Sequence, residues 1–101
     1  MKFAQIIDFE TERADEMAEL MRGYEETARA QGRTEGPRHR TLLRDRSNPG
    51  RYLAVVEFDS YEDAMANNEA PETSELAGRL AELCTRPPVF TDCDVTDSAN
   101  L

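Results

Sequence analysis

The sequence predicts an α+β domain in which four strands form one antiparallel sheet and helices cover one face of that sheet. Strand-like and helix-like segments follow one another in the order strand, helix, strand, strand, helix, strand. The segment 51–60 is apolar on both faces, as expected of a strand in the middle of a sheet. Pro71 interrupts the second helical segment, because proline disfavours helical geometry at the residue before it.

Length and charge limit the domain organisation and the partners. The 101 residues provide for one modest core, so we expect a single domain over residues 1–95 and a polar tail over residues 96–101. Twelve basic and 21 acidic residues give a net charge of −9, which repels phosphates and argues against nucleic-acid and membrane partners. Because no apolar run approaches the ~20 residues of a membrane span and the chain starts with a strand pattern, we expect a cytoplasmic protein.

Cysteine and glycine usage predicts neither a metal site nor a bound cofactor. Cys84 and Cys93 lack the Cys-x-x-Cys spacing and have no neighbouring histidine, so we expect free thiols. The five glycines are scattered and form no phosphate-binding loop. Eleven of the twelve basic residues are arginine, an association typical of GC-rich bacterial genomes.

The first strand is predicted over residues 3–10, with Phe3, Ile7 and Phe9 on one face and Ala4 and Ile6 on the other. Both faces of this strand are therefore apolar as well.

The helix that follows is predicted to start after Thr11 as its N-cap and to stop at a left-handed cap formed by Gly32. Its apolar stripe has the spacing i, i+3, i+4, i+7, and consists of Met17, Leu20, Met21 and Tyr24. A methionine stripe at this spacing is more often core than ligand site.

A loop over residues 33–36 leads to a polar edge strand over residues 38–45, and the turn 48–50 joins that strand to the central one in a hairpin. In the central strand one face carries Tyr52, Ala54, Val56 and Phe58, and the other carries Leu53 and Val55.

The second half of the chain predicts a broken helix and a last strand. Ser60 and Asp63 resemble a capping box at the start of the helix. Pro71 restarts a second helical piece, the residues 87–88 end it, and the last strand is predicted over residues 89–95.

The simplest topology for this order is the ferredoxin-like βαββαβ sandwich, with the first and third strands in the middle. Helices can cover only one face of such a sheet. Because the central strands are apolar on both faces, we expect the bare face to pack against a second copy, giving a homodimeric α/β barrel.

The chain resembles the dimeric α/β-barrel superfamily and, within it, the antibiotic biosynthesis monooxygenase-like domains. The resemblance lies in the element order, in Val-Glu-Phe-Asp-Ser-Tyr-Glu-Asp-Ala over residues 56–64, and in Glu-Ala-Pro-Glu-Thr over residues 69–73. Similar uncharacterised actinobacterial proteins share the patterns found here at residues 64–67, 71–73 and 83–84.

The resemblance implies a homodimer with a small pocket between sheet and helices in each subunit. Members of this superfamily oxygenate aromatic substrates without metal or flavin, degrade haem or isomerise lactones, and many have no known chemistry. Haem-degrading relatives use a helix histidine and a tryptophan, and this chain has no tryptophan and no histidine in its second helix. Asn67 and Asn68 stand where related sequences often have a histidine, which weakens the oxygenase interpretation.

His39 is the one candidate catalytic residue, because its unperturbed pKa is near neutrality and it lies near a strand end, on a face with Thr41 and Leu43. A solvated structural histidine is the alternative. The predicted ligand-binding residues lie on the central strand and the broken helix: Tyr52, Phe58, Tyr61, Met65, Asn67 and Asn68. Packing of the aromatic residues and helix capping by the asparagines are the alternatives for these positions.

Two functions follow from these observations. One is a dimeric protein that binds a small aromatic or apolar ligand and is monooxygenase-like or isomerase-like if it is an enzyme. The other is a non-catalytic protein that only assembles with itself or with another partner. For the dimer, we expect Arg40 and Arg44 on one edge strand to pair with Asp92 and Asp94 of the other subunit.

Overall fold

The computed structural model describes residues 1–33 and 36–101, and Thr34 and Glu35 of the predicted loop lie outside the described residues. The strands are β1 (Phe3–Glu10), β2 (His39–Arg44), β3 (Arg51–Phe58) and β4 (Val89–Asp94), and the helices are α1 (Ala14–Ala30), α2 (Tyr61–Glu69) and α3 (Pro71–Glu82). The four strands form one antiparallel sheet in the order β2-β3-β1-β4. The predicted ferredoxin-like topology, with the first and third strands central, is confirmed.

The register of β1 and β3 fixes the two faces of the sheet. Phe3 lies opposite Phe58 and Phe9 opposite Tyr52, so these aromatic residues share one face. That face is covered by the helices, because Met17 of α1 packs with Phe9, and the buried Ala64 of α2 packs with Phe3 and Phe58. The core is thus one layer between the sheet and three helices.

Helix α1 ends as predicted, at a glycine in the left-handed conformation. Gly32 has a φ of 67° and its N–H donates to the carbonyl of Arg29, while the N–H of Arg33 donates to the carbonyl of Ala28. These two bonds form a Schellman motif, which turns the chain back against the end of the helix. The motif fixes the backbone at Arg33.

The prediction of Thr11 as the N-cap of α1 is wrong. Arg13 occupies the N-cap position without a side-chain cap bond. The hydroxyl of Thr11, whose residue is only 4% exposed, donates to the carbonyl of Leu83 at 2.7 Å and accepts from the N–H of Arg13 at 2.9 Å. Thr11 therefore connects the end of β1 to the end of α3, a contact 72 residues apart in sequence.

The broken second helix has the predicted form. The side chain of Ser60 accepts from the N–H of Asp63 at 3.1 Å and caps α2. Ala70 is extended between α2 and α3, and Pro71 occupies the first turn of α3. Within the described residues, none of the helices has the length and apolar character that crossing a bilayer would require.

The bare face of the sheet combines apolar side chains with charges. The side chains on this face alternate with those that face the helices. Its middle is apolar and consists of Ile6, Leu43, Leu53, Val55 and Val89.

The expected pairing of edge-strand arginines and aspartates across a dimer is wrong in its geometry. Arg40 lies opposite Val56 in the register, on the helix-covered face, and its guanidinium binds Glu25 of α1 at 2.7 Å. Asp92 lies opposite Gln5 and accepts a hydrogen bond from its amide. By the alternation of each strand, Arg44 and Asp94 share that face. The four charges point to the helix side, so they cannot meet between two stacked sheets.

Candidate functional site

A polar cluster joins α1, α2 and α3 on the helix side of the sheet. Arg33 donates through Nη1 to the Tyr24 hydroxyl at 2.9 Å and through Nη2 to the Asn67 Oδ1 at 3.1 Å. The hydroxyls of Tyr24 and Thr73 lie 2.7 Å apart, and the Arg33 guanidinium lies 6.0 Å from the centre of the Tyr24 ring. Four side chains from separate parts of the chain thus form one hydrogen-bonded group.

Local structure explains why these side chains meet. Tyr24 extends the Met17–Met21 stripe of α1, and the Schellman motif returns Arg33 to the same end of that helix. Asn67 follows Ala64 by three residues on the inner side of α2 and is only 6% exposed. Thr73 lies in the first turn of α3.

An apolar crevice lies between α1 and the sheet. The rings of Phe9 and Tyr52 stack at one side of it, with centroids 5.5 Å apart and an interplanar angle of 15°. Its lining consists of Phe9, Ala14, Met17, Ala18, Met21, Leu42 and Tyr52. The free volume is about 10 Å³, which is room for about one water molecule.

The crevice and the polar cluster are neighbours along α1. Met21 lines the crevice, and Tyr24 of the cluster follows it by three residues, so that their Cβ atoms are about 5–6 Å apart. The helix–sheet layer therefore changes from apolar to polar within one turn of α1. A pocket with an apolar body and a few polar groups at one end is typical of small-molecule sites.

The structure separates the predicted ligand-binding residues into two groups. Tyr52 lies at the crevice, whereas Phe58 and Met65 pack with Phe3 at the other end of the sheet, where the 52% exposed Tyr61 contacts the Phe3 ring edge-on. Six residues of strand place Tyr52 and Phe58 about 20 Å apart, too far to line one small pocket.

The two asparagines also have different surroundings. Asn67 is buried in the polar cluster, and Asn68 is exposed. Asn67 is thus the predicted ligand residue that the structure joins to a polar group in the helix–sheet layer.

His39 is exposed on the bare face of the sheet, opposite Glu57 in the register. Its ring Nε2 lies 3.3 Å from the Thr41 hydroxyl. The sheet separates it from the crevice and the polar cluster of its own subunit. It cannot act on a molecule bound there without a second subunit or a large movement.

The bare face carries an ionic network that the sequence analysis missed. Both oxygens of Asp8 accept hydrogen bonds from Arg51, at 3.1 and 2.7 Å, and Arg86 binds the same carboxylate at 2.7 Å. Arg51 also binds Asp45 at 3.0 Å, and Arg86 lies 3.4 Å from Glu10. Hydrogen bonds from Arg51 and then Arg86 lower the pKa of Asp8 to about 2.

The two cysteines are free, as predicted. Cys84 donates its S–H to the carbonyl of Leu80 and packs against the core, and this burial raises the pKa of its thiol. In the part of the chain that the structure describes, no three His, Cys, Asp or Glu side chains are grouped to hold a metal ion.

The grouping of these four side chains was not predicted from the sequence, although Asn67 was a predicted ligand residue, because they lie far apart at positions 24, 33, 67 and 73. One signal was present. Asn67 lies three residues after Ala64 on the stripe of α2 that faces the core, and a polar residue on a buried stripe requires a partner. The identity of that partner depends on tertiary packing.

No protein-family model matches the sequence, and no curated protein matches it either. Solved structures do match. A variant of SnoaB, a cofactor-independent oxygenase from Streptomyces nogalater, has 21% identity and a TM-score of 0.72 over 96% of this chain and 95% of its own. A Caulobacter crescentus protein assigned to the antibiotic biosynthesis monooxygenases has 12% identity and a TM-score of 0.77 over 95% and 91% of the two chains.

The chain has the fold of the antibiotic biosynthesis monooxygenase-like proteins. A protein from Mycobacterium tuberculosis has 22% identity and a TM-score of 0.68, covering 99% of this chain and 100% of its own. At these identities the likeness is one of fold. In this monooxygenase-like fold, the crevice and the polar cluster lie on the helix side of the sheet, where the resemblance implied a pocket.

Proposed function

We propose that this protein is a bacterial, cytoplasmic homodimer that binds a flat, mostly apolar molecule beside α1 and oxygenates it without a cofactor. The observation that carries the proposal is the apolar crevice, which lies one turn of α1 from the polar cluster of Tyr24, Arg33, Asn67 and Thr73. The fold shared with a cofactor-independent oxygenase supports it. As part of this proposal, we infer that the protein has relatives among actinobacterial proteins.

The arrangement suits an aromatic ligand. Its ring would enter between Tyr52 and the methionines of α1, and an oxygen substituent would reach the hydroxyl of Tyr24 or the amide of Asn67. Without a cofactor, the electrons that reduce O₂ come from the substrate, and a phenol releases them more readily after losing its proton to water. Hydrogen-bond donors around the substrate oxygen favour that charged form.

The crevice must open to admit such a molecule, because its free volume of about 10 Å³ is far smaller than a ring. Met17 and Met21 are unbranched and have several rotatable bonds, so they can move aside at modest cost. Leu42 belongs to an edge strand and is 41% exposed, which leaves it free to move toward solvent.

A filled crevice tests the proposal. Ala18→Phe adds a ring to the crevice wall without removing a polar group, so we expect it to abolish binding of polycyclic phenols. In the parent chain, a ligand at a hundred times its Kd raises the free energy of unfolding by about 2.7 kcal/mol. A thermal-shift assay detects this as a higher melting temperature. Oxygen consumption with the bound phenols would then report turnover.

Ala66→Phe, on the exposed side of α2, is the matched control and should keep the ligand response. The crevice is not the binding site if Ala18→Phe retains a folded structure and the same thermal shift as the parent.

A second function is a non-catalytic assembly protein. The small volume of the crevice and the exposed position of His39 favour it, since both were expected of such a protein. It predicts that no phenol shifts the melting temperature, that oxygen is not consumed, and that the dimer still forms. It also predicts that His39→Ala changes no activity and alters stability by less than about 0.5 kcal/mol.

A further inference from the structure

The arginines of this chain differ in what neutralises them. Five arginines form ion pairs with Asp or Glu side chains: Arg13, Arg38, Arg40, Arg51 and Arg86. Arg33 is half-buried, and its hydrogen-bond partners among residues 1–33 and 36–101 are the neutral side chains of Tyr24 and Asn67. Within the described residues, this half-buried cation lacks the carboxylate partner that those five arginines have.

Arg33 also has unused donors. A guanidinium carries five N–H groups, and the bonds to Tyr24 and Asn67 use one each from Nη1 and Nη2. Within the described part of the chain, the other donors have no protein acceptor. Because Arg33 is not fully buried, these donors can be reached by a small molecule.

The surroundings of Arg33 favour negative charge as well. Thr73 of the cluster lies in the first turn of α3, where the N-cap Ala70 offers no side-chain acceptor, and the N–H of Thr73 donates to the carbonyl of Ala70. Glu72 in the same turn offsets part of the positive end of the helix dipole, so Arg33 supplies the main positive charge of the cluster. One of the Tyr24 and Thr73 hydroxyls donates to the other, and the hydroxyl that accepts this bond can donate to the same acceptor.

We propose that Arg33 binds the carboxylate of the ligand, so that the substrates of the proposed function are aromatic carboxylic acids. This inference rests on the proposed function for the position of the ring. The planar fork of a guanidinium matches a carboxylate with two parallel hydrogen bonds, which a neutral amide cannot accept in the same way. The apolar part of the ligand then lies toward Met21 and the crevice.

A matched pair of compounds tests this on the full chain. Titration calorimetry with 2-naphthoate and with its neutral counterpart 2-naphthamide should give at least about tenfold tighter binding of the carboxylate. In Arg33→Gln the preference should vanish, because the amide side chain keeps polarity and removes the charge. Arg29→Gln, exposed in the last turn of α1, should keep the parent preference.

Tyr24→Phe provides a second variant if Arg33→Gln does not fold, and we expect it to weaken 2-naphthoate more than 2-naphthamide. Equal affinities in the parent, binding of neither compound, or a preference that survives in folded Arg33→Gln would each overturn the inference. Polycyclic phenols that bind and consume oxygen without a carboxylate preference would leave the proposed function intact. Arg33-dependent carboxylate binding without oxygen consumption would overturn the oxygenase function alone.

Discussion

Asp8 has two arginines around one carboxylate on the bare face of the sheet. Their hydrogen bonds hold its pKa near 2, below the ordinary 3.8 of an aspartate. Because the pKa in the folded state is the lower one, this carboxylate stabilises the fold fully at pH values above the unfolded pKa. The contribution is lost as the pH falls from about 4 toward 2.

We therefore predict that Asp8→Asn lowers the melting temperature at pH 7 and also flattens its dependence on pH between 5 and 2. Melting curves followed by circular dichroism at each pH measure both effects. Asp97→Asn, in the exposed C-terminal tail, is the control and should follow the parent curve. An Asp8→Asn curve that runs parallel to the parent over this range would contradict the role of Asp8.

At the residue scale, the sequence predicted types of residue better than their partners. Asn67 was a candidate because it precedes the helix break, but nothing local connects it to Arg33, 34 residues away. Asp8, Arg51 and Arg86 are likewise far apart in the sequence. Strands β1 and β3 and the segment before β4 bring them to one end of the sheet. Partners of this kind depend on strand register, which composition does not reveal.

Hydrogen bonds at the end of β1 and the start of α1 connect them to the C-terminal end of α3. The hydroxyl of Thr11 serves both the carbonyl of Leu83 and the N–H of Arg13. It thereby joins the turn before α1 to the C-terminal end of α3. Beside it, the N–H of Thr85 donates to the carbonyl of Glu10 at 2.8 Å.

We predict that Thr11→Val, which keeps the shape and removes the hydroxyl, costs about 1–3 kcal/mol of unfolding free energy, because buried polar groups lose their partner. Urea denaturation gives the value. Thr27→Val is the matched control: Thr27 is exposed and its hydroxyl donates to the carbonyl of Gly23 within α1, so we expect a change below about 0.5 kcal/mol. Equal losses in the two variants would contradict the role of the Thr11 hydroxyl as a bridge between the two elements.

At the element scale the sequence was a good guide. The strand and helix positions follow from local periodicity, and the caps at Ser60 and Gly32 follow from residues that suit few other roles. The prediction for Thr11 failed because a local pattern suggested its role. A threonine before an acidic helix start resembles a cap, but the burial of this one under α3 is decided by packing.

At the scale of the whole molecule, the described residues leave one sheet face, with an apolar middle, uncovered by helices. Leu43 and Val89 on its two edge strands are 46% and 54% exposed, next to the half-buried Ile6 and Val55 of the central strands. A contiguous apolar surface of this kind marks an interaction site. A second copy would place the same surface against itself about a two-fold axis.

We predict that the parent chain is a dimer at micromolar concentration and that Val55→Glu makes it a monomer, because the new charge would be buried without a partner. Light scattering coupled to size-exclusion chromatography gives the mass. Ala77→Glu, on the exposed side of α3, should remain dimeric and so controls for the added charge. A parent chain that elutes with the mass of one subunit would refute the assembly.

The order of strands also determines when the sheet can be completed during synthesis. Strand β1 is made first, but it pairs with β3 on one side and with β4 on the other, and Phe3 lies opposite Asp94. At ribosomal rates of about 5–20 residues per second, roughly 4–18 s pass between the two. During that interval a strand with apolar residues on both faces has an open edge. We expect the nascent chain to bind chaperones through β1 until β4 emerges.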